Sequence, residues 1–214
     1  MSFTIAIDGP AASGKGTLAK TLAMALSFDY LDTGSLYRAV ARDVHSAGIP
    51  LDDSDASHDK IVEIAKALIL PVVNDASLRT SEIAQIASKI AVLPAAREAL
   101  VAKQRDFAHN PPSGKGAVLD GRDIGSVILP DADLKLYIDA DIKVRAKRRF
   151  LELSAKDDTI TLAEILADLT ERDARDKTRK TAPLKPADDA IFIDSSEMSA
   201  QEVLQDALKH VKSL

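Results

Sequence analysis

Five short apolar runs punctuate the chain: Phe3–Ile7, Phe28–Leu31, Ala117–Leu119, Leu134–Ile138 and Ala190–Ile193. They are rich in Val, Ile, Leu and aromatic residues and show no sustained alternation. That pattern predicts parallel strands covered on both faces. Each run leads into an acid, respectively Asp8, Asp32, Asp120, Asp139 and Asp194. Open α/β sheets bind ligands beyond the carboxyl ends of their strands, so these acids mark where chemistry is expected. Apolar stripes of helical spacing lie between the runs. Leu18, Leu22 and Leu26 form one, Ile83, Ile86, Ala87 and Ile90 a second, and Leu162, Ile165, Leu166 and Leu169 a third. Val203, Ala207, Leu208 and Val211 line the last helix. Thr161–Glu164 and Ser199–Glu202 carry the capping-box spacing at helix starts. Alternating strands and helices predict an α/β fold, a five-stranded parallel sheet flanked by helices.

One stretch breaks the rhythm. Residues 39–96 read as mostly helical, interrupted at Gly48-Ile49-Pro50, at the Ser/Asp-rich run 52–59 and at Pro71–Asp75. We expect a small movable subdomain there, inserted into a core of residues 1–38 and 97–214. Asn110–Gly116 reads as a surface loop before the third strand, and no repeats occur.

Composition narrows the class. The 214 residues are 46% hydrophobic, enough for one packed unit without disulfides or a structural metal. Cysteine is absent, which excludes thiolate zinc sites. The apolar start of the chain is short and broken by Asp8, so neither a signal peptide nor a membrane span is expected there, and a cytoplasmic protein with no membrane partner is. A formal net charge of −5 argues against a general nucleic-acid binder. The cations are nevertheless concentrated. Arg145, Lys147, Arg148 and Arg149 form one cluster, and Arg172, Arg175, Lys177, Arg179 and Lys180 another. Two arginine-dense patches in an acidic chain suit the holding of a few phosphates, although solvated helix faces would show the same clusters.

The chemistry is carried by the segment after the first strand, Gly9-Pro10-Ala11-Ala12-Ser13-Gly14-Lys15-Gly16-Thr17. A strand, a glycine-bounded loop, a lysine and a helix follow in the order that phosphate binding needs. The glycines let successive backbone N–H groups turn inward, and the helix start adds partial positive charge. Lys15 is the residue expected to reach the β- and γ-phosphates of a nucleotide. Gly16 stands where the commonest form of this loop has Ser or Thr, so Thr17 becomes the candidate for orienting Mg²⁺, directly or through water. Ser113-Gly114-Lys115-Gly116 has similar letters but precedes a strand, and is read as a decoy.

Three further motifs extend the case: Asp32-Thr33-Gly34-Ser35-Leu36-Tyr37-Arg38, Gly121-Arg122-Asp123-Ile124-Gly125, and Glu171–Arg179 followed by Ala182-Pro183-Leu184. Together with Gly-Lys-Gly-Thr they closely resemble the bacterial cytidylate kinase family, in order and over nearly the whole chain. The resemblance implies a P-loop NTPase core with a small acceptor-binding insert and a short lid at about residues 145–160. It implies transfer of the γ-phosphate of ATP to CMP or dCMP with Mg²⁺, by a monomer. It gives ATP to Gly9–Thr17 and Arg148, and the acceptor phosphate and sugar to Thr33, Arg38, Arg122, Arg172 and Asp176. It places Arg179 near the transferring phosphate, and Ser88, Arg97 and Asp123 around the cytosine base. Lys15, Arg122, Arg172 and Arg179 would be the catalytic set.

Guanidinium groups suit phosphate because their forked donors can form two parallel hydrogen bonds. Arg172, Asp176 and Arg179 would share one helix face. The family usually carries a longer insert with a small antiparallel sheet before the Ser88 region, and here only Leu70–Asp75 resembles it. A kinase for UMP, AMP or a metabolite hydroxyl, and a nucleotide-dependent switch, are the competing readings. The switch would call for a guanine-recognition motif such as Asn-Lys-x-Asp, which the chain lacks.

Overall fold

The computed structural model describes residues 2–52, 54–70, 76–155 and 159–212. The strands are β1 (Phe3–Asp8), β2 (Asp29–Asp32), β3 (Gly116–Gly121), β4 (Leu134–Asp139) and β5 (Ile191–Asp194). They pair in the order β2-β3-β1-β4-β5, all parallel. Each expected run continues as far as its acid, so the acids belong to the strands rather than to the loops. Parallel register then brings them to one edge of the sheet. Asp32 lies opposite Asp120, and Asp139 opposite Asp194. From β1 the chain passes over to the edge strand β2 and returns to β3, whereas β3 connects across β1 to β4, so the crevice between β1 and β3 is the switch point where such sheets bind ligands.

Helices α1 (Lys15–Leu26) and α8 (Ala200–Lys212) cover one face of the sheet. Their apolar stripes meet Ile5, Ile7, Val118, Leu136 and Ile138. The other face meets α2 (Thr33–Ser46), α3 (Asp55–Ala67), α4 (Ser81–Ile90) and α5 (Pro94–His109). Leu36, Val40, Ile61, Ile90 and Leu100 from these helices form one continuous core with Ala6, Leu31 and Leu119 of the sheet. Helices α6 (Ile142–Ser154) and α7 (Leu162–Thr178) close the carboxyl end, where Ala146, Ile165 and Leu169 pack on Ala11. No helix among the described residues is long and apolar enough to cross a membrane.

The helix ends follow their side-chain chemistry. Asp32 caps α2 by accepting the Ser35 N–H at 3.1 Å, and both expected capping boxes, at Thr161 and Ser199, are formed. Two expectations change. Helix α2 runs unbroken through residue 39, and among the described residues the helices of 39–96 share one core with the sheet. Helix α7 ends at Thr178, which leaves Arg179 just beyond it rather than on its face. Residues 71–75, the remnant of the family's small sheet, lie outside the described residues. Among the described residues between α2 and α4 there is no strand.

Because the core is shared, Ile61→Ala should lower the unfolding free energy by about 3 kcal/mol. Urea unfolding followed by fluorescence and by circular dichroism should still give one coincident transition. Two separated transitions would mean that the helical segment folds on its own.

Candidate active site

The loop between β1 and α1 is shaped by backbone requirements. Gly9 has φ 151°, and a Cβ there would stand 2.0 Å from the Ile138 carbonyl oxygen, so only glycine fits. Gly14 has φ 92° at the start of α1. Ala12 is left-handed as well, with φ 60°, a conformation costing roughly 1 kcal/mol without glycine. Lys15 is buried and folds back along the loop, its Nζ donating to the Pro10 carbonyl at 3.1 Å.

Two struts hold this loop from outside. Arg145 is buried and donates to Ala140 O at 2.9 Å, Ala11 O at 3.2 Å and Asp173 Oδ2 at 2.6 Å. Ser195, just after β5, donates to Ser13 O at 2.8 Å and is itself gripped by Arg148, which bonds its Oγ at 3.0 Å and its carbonyl at 2.6 Å. The lid expected at about residues 145–160, begun by Arg145, Arg148 and Arg149, is therefore corrected at Arg145. Its three anchors make it a fixed part of the loop's support. Of that basic cluster, Arg149 is the member that lines the cavity.

The cavity beside the loop measures ≈ 310 Å³, within the range of small-ligand sites. It collects most of the residues singled out from the sequence. At one end lie Ala11, Ala12, Lys15 and Gly16, with Asp120 and Asp32 facing them. In the middle stand Thr33, Arg38, Arg122, Arg172 and Asp176. At the far end are Ser88, Arg97, Asp123 and Arg179, together with Tyr37 and Gln104. Gly9, Pro10, Ser13 and Gly14 form the loop without lining the cavity, Thr17 is exposed on the first turn of α1, and Arg148 stays on Ser195.

Buried charges dominate the electrostatics. Burial, followed by the charges of Arg122 and Arg172, pulls the Lys15 ammonium well below its usual range. Burial and the Arg122 charge lower Arg172 to about 10, and among the described residues its Nε has no hydrogen-bond partner. Crowded cations with an unsatisfied donor are a site made for an anion. Carboxylates hold the crowd in place: Asp176 pairs with Arg122 at 2.8 Å, and Asp32 with Arg38 at 2.6 Å. At the far end Asp123 pairs with Arg97 through one oxygen and with Arg179, at 3.2 Å, through the other.

Sequence reasoning marked the strand-end acids as a group without giving any of them a role, and two of them bear directly on the site. Burial and the neighbouring Asp32 charge raise the Asp120 carboxyl, to which the Tyr30 hydroxyl donates at 2.9 Å. Its Oδ2 lies 3.6 Å from where a Cβ on Gly16 would stand, so this oxygen sits directly over the first turn of α1. Asp8 accepts the backbone N–H groups of Ile124 and Gly125, each at 2.8 Å. It thereby ties the end of β1 to the short π-helix Ile124–Ile128 that follows Asp123. Gln104 was also missed. It shares the buried stripe of α5 with Arg97 and Leu100, and two polar side chains on such a stripe were the available signal.

A sequence profile described as Cytidylate kinase matches residues 5–213. The chain belongs to the cytidylate kinase family. A cytidylate kinase of Bartonella bacilliformis is 50% identical over 200 residues, spanning 94% of this chain and 90% of that one. One of Brucella ovis is 50% identical over 207 residues, spanning 97% and 91%. The crystal structure of an uncharacterised protein from Eubacterium ventriosum superposes with a TM-score of 0.55 at 15% identity, each chain fully covered, which bears on the fold alone.

The Asp8 link has a signature in the pH dependence of stability. Burial raises its carboxyl to about 7, against the opposing pull of the two N–H bonds. The folded state therefore holds a proton that the unfolded chain releases near pH 4. That contribution is complete below pH 4 and disappears as pH rises through about 7. Asp8→Asn should consequently flatten the fall of unfolding free energy between pH 5 and 7 by up to about 1.4 kcal/mol per pH unit. Equal slopes in urea titrations of the two proteins would refute the link.

Proposed function

We propose that this member of the cytidylate kinase family transfers the γ-phosphate of ATP to CMP or dCMP, releasing ADP and CDP or dCDP. The observation that carries the reading is the single cavity with the phosphate loop at one end and the Ser88, Arg97 and Asp123 cluster at the other. Between them lie the arginines that a second phosphate would need.

The loop backbone and Lys15 would hold the β- and γ-phosphates of ATP, and the lysine would regain its charge against them. Arg38, Arg122, Arg172 and Asp176 would receive the acceptor's phosphate and sugar, with Thr33 beside them. The acceptor is an ionised phosphate and attacks without help from a base. Catalysis then rests on alignment and on stabilising charge spread over the transferred oxygens. Arg122 and Arg172 both lie close enough to Lys15 to lower it, Arg122 also acts on Asp123, and Arg179 lines the cavity from beyond α7, so the three can follow that charge. Among the described residues no three carboxylates or histidines converge, so a metal would depend chiefly on substrate phosphates. Mg²⁺ suits that arrangement, with oxygen donors from Asp120 above α1 and Thr17 on its first turn. When bound it would neutralise phosphate charge.

At the far end, cytosine offers an amino donor and an unprotonated ring nitrogen. Asp123 can accept from the first, while Arg97 and Ser88 can donate to the second and its neighbouring carbonyl. Uracil would oppose a carbonyl to the carboxylate, a mismatch of the kind that polar pockets reject by factors of about 10⁴. Closure of helices α3 and α4 over the bound nucleotides would exclude water and suppress wasteful hydrolysis, and residues 156–158 of the expected lid lie outside the described residues.

With ATP and Mg²⁺, ADP release should be rapid with CMP and dCMP and slow with UMP or AMP. Fast release with UMP or AMP instead would overturn the base assignment, and no release with any of them would overturn the reaction. Lys15→Ala should cost roughly a thousandfold or more in turnover, the loss expected when a main phosphate-stabilising group is removed. Asp123→Ala should raise KM for CMP far more than KM for ATP, and equal increases would refute its placement at the base.

A further inference from the structure

Arg175 stands behind the base end of the cavity rather than in its lining. From α7 it crosses to α4, where its Nη1 donates to Ser88 Oγ at 2.9 Å and to Gln85 Oε1 at 3.1 Å. Its other terminal nitrogen pairs with Glu171 one turn back on its own helix. Ser88 is buried, lines the cavity, and receives this bond on its oxygen. Among the described residues its hydroxyl proton is donated to none.

A serine hydroxyl is ordinarily ambivalent, since it can donate or accept as its partner requires. A guanidinium only donates. With that charge 2.9 Å from Oγ, one lone pair of the oxygen is held by the guanidinium and the proton is kept away from it, free to point into the cavity. We infer that Arg175 biases Ser88 toward acting as a hydrogen-bond donor and thereby helps determine which base the site accepts. A donor there matches the ring nitrogen or carbonyl of cytosine. It opposes the ring N–H of uracil, which Ser88 could accept only on its one remaining lone pair, with its proton turned out of the contact. Beside a neutral neighbour the same serine would adapt to either base. Arg175 is in this sense a specificity-determining residue that acts through Ser88, without touching the substrate.

The inference rests on the proposed acceptor chemistry, so its test separates the two. We would measure kcat/KM for CMP and for UMP, with KM for ATP, in wild type, Arg175→Met, Arg175→Lys, Ser88→Ala and the Arg175→Met/Ser88→Ala double variant. Wild type should prefer CMP. Arg175→Met should reduce that preference about tenfold, a loss of one oriented polar contact, and leave KM for ATP unchanged. Arg175→Lys should retain most of the preference. In the Ser88→Ala background, Arg175→Met should change the ratio no further. If Arg175→Met weakens CMP and UMP equally, or changes the ratio as much without Ser88 as with it, Arg175 is only a tie between helices and the inference fails. If wild type itself shows no preference for CMP, the acceptor assignment fails and this inference with it.

Discussion

Positive charge buried at the carboxyl edge of a five-stranded parallel sheet is the condition to which the rest of this structure answers. Lys15 is buried and Arg122 and Arg172 are half-buried around one cavity, where mutual repulsion is less screened than in bulk solvent. Left alone, such a cluster would shed protons or push its helices apart. The strand ends provide part of the counterweight, because parallel register delivers Asp32 and Asp120 side by side on β2 and β3. Helix α7 provides Asp176, and the segment after β3 provides Asp123. The compensation is incomplete, since Lys15 and Arg172 still lie below their usual ranges and Arg172 Nε has no partner among the described residues. That residual charge is what a phosphate would satisfy.

Support for the two halves of the cavity is organised differently. The phosphate loop is held by bonds to its backbone carbonyls, from Arg145 to Ala11 and from Ser195 to Ser13, so its shape does not depend on which side chains line it. The acceptor half is held by side-chain ion pairs between elements distant in sequence, such as Arg122 with Asp176 and Arg97 with Asp123. Asp8 joins the halves. Being the last residue of β1, it cannot move without disturbing Gly9, and its carboxylate fixes the two amides after Asp123. A shift on either side is thus transmitted through one buried group.

The sheet was legible almost in full, because buried parallel strands announce themselves as short apolar runs and the acid closing each run marked its end. The loop from Gly9 to Thr17 was legible for a related reason, since its glycines answer to local backbone geometry. Pairings between distant segments were not. Nothing in the run from Arg145 to Arg149 distinguishes a buried strut from a cavity-facing arginine, because the difference lies in Asp173, Ala11 and Ser195, brought close only by folding. The segment 39–96 looked separable for want of strands, yet its apolar stripes match the uncovered face of β1, β2 and β3. Periodicity reports that a helix buries one side. It does not report what the side is buried against.

The ion pairs in the cavity also bear on why arginine rather than lysine fills the acceptor side. Arg38 gives one terminal nitrogen to Asp32, and Arg122 gives Nε to Asp176 and Nη1 to the Gly121 carbonyl. A guanidinium has five N–H donors in a fixed plane, so each arginine keeps donors for a second anion after its carboxylate has been served. The carboxylates therefore orient these cations more than they neutralise them, and a phosphate need not break the pairs to bind. A lysine in the same pairing would have one rotating ammonium to divide between two anions and no plane to aim. The single lysine of the cavity sits where aim matters least, against a loop whose backbone already defines the position. Its own bond there, to the Pro10 carbonyl, is a neutral contact that a phosphate oxygen can readily replace.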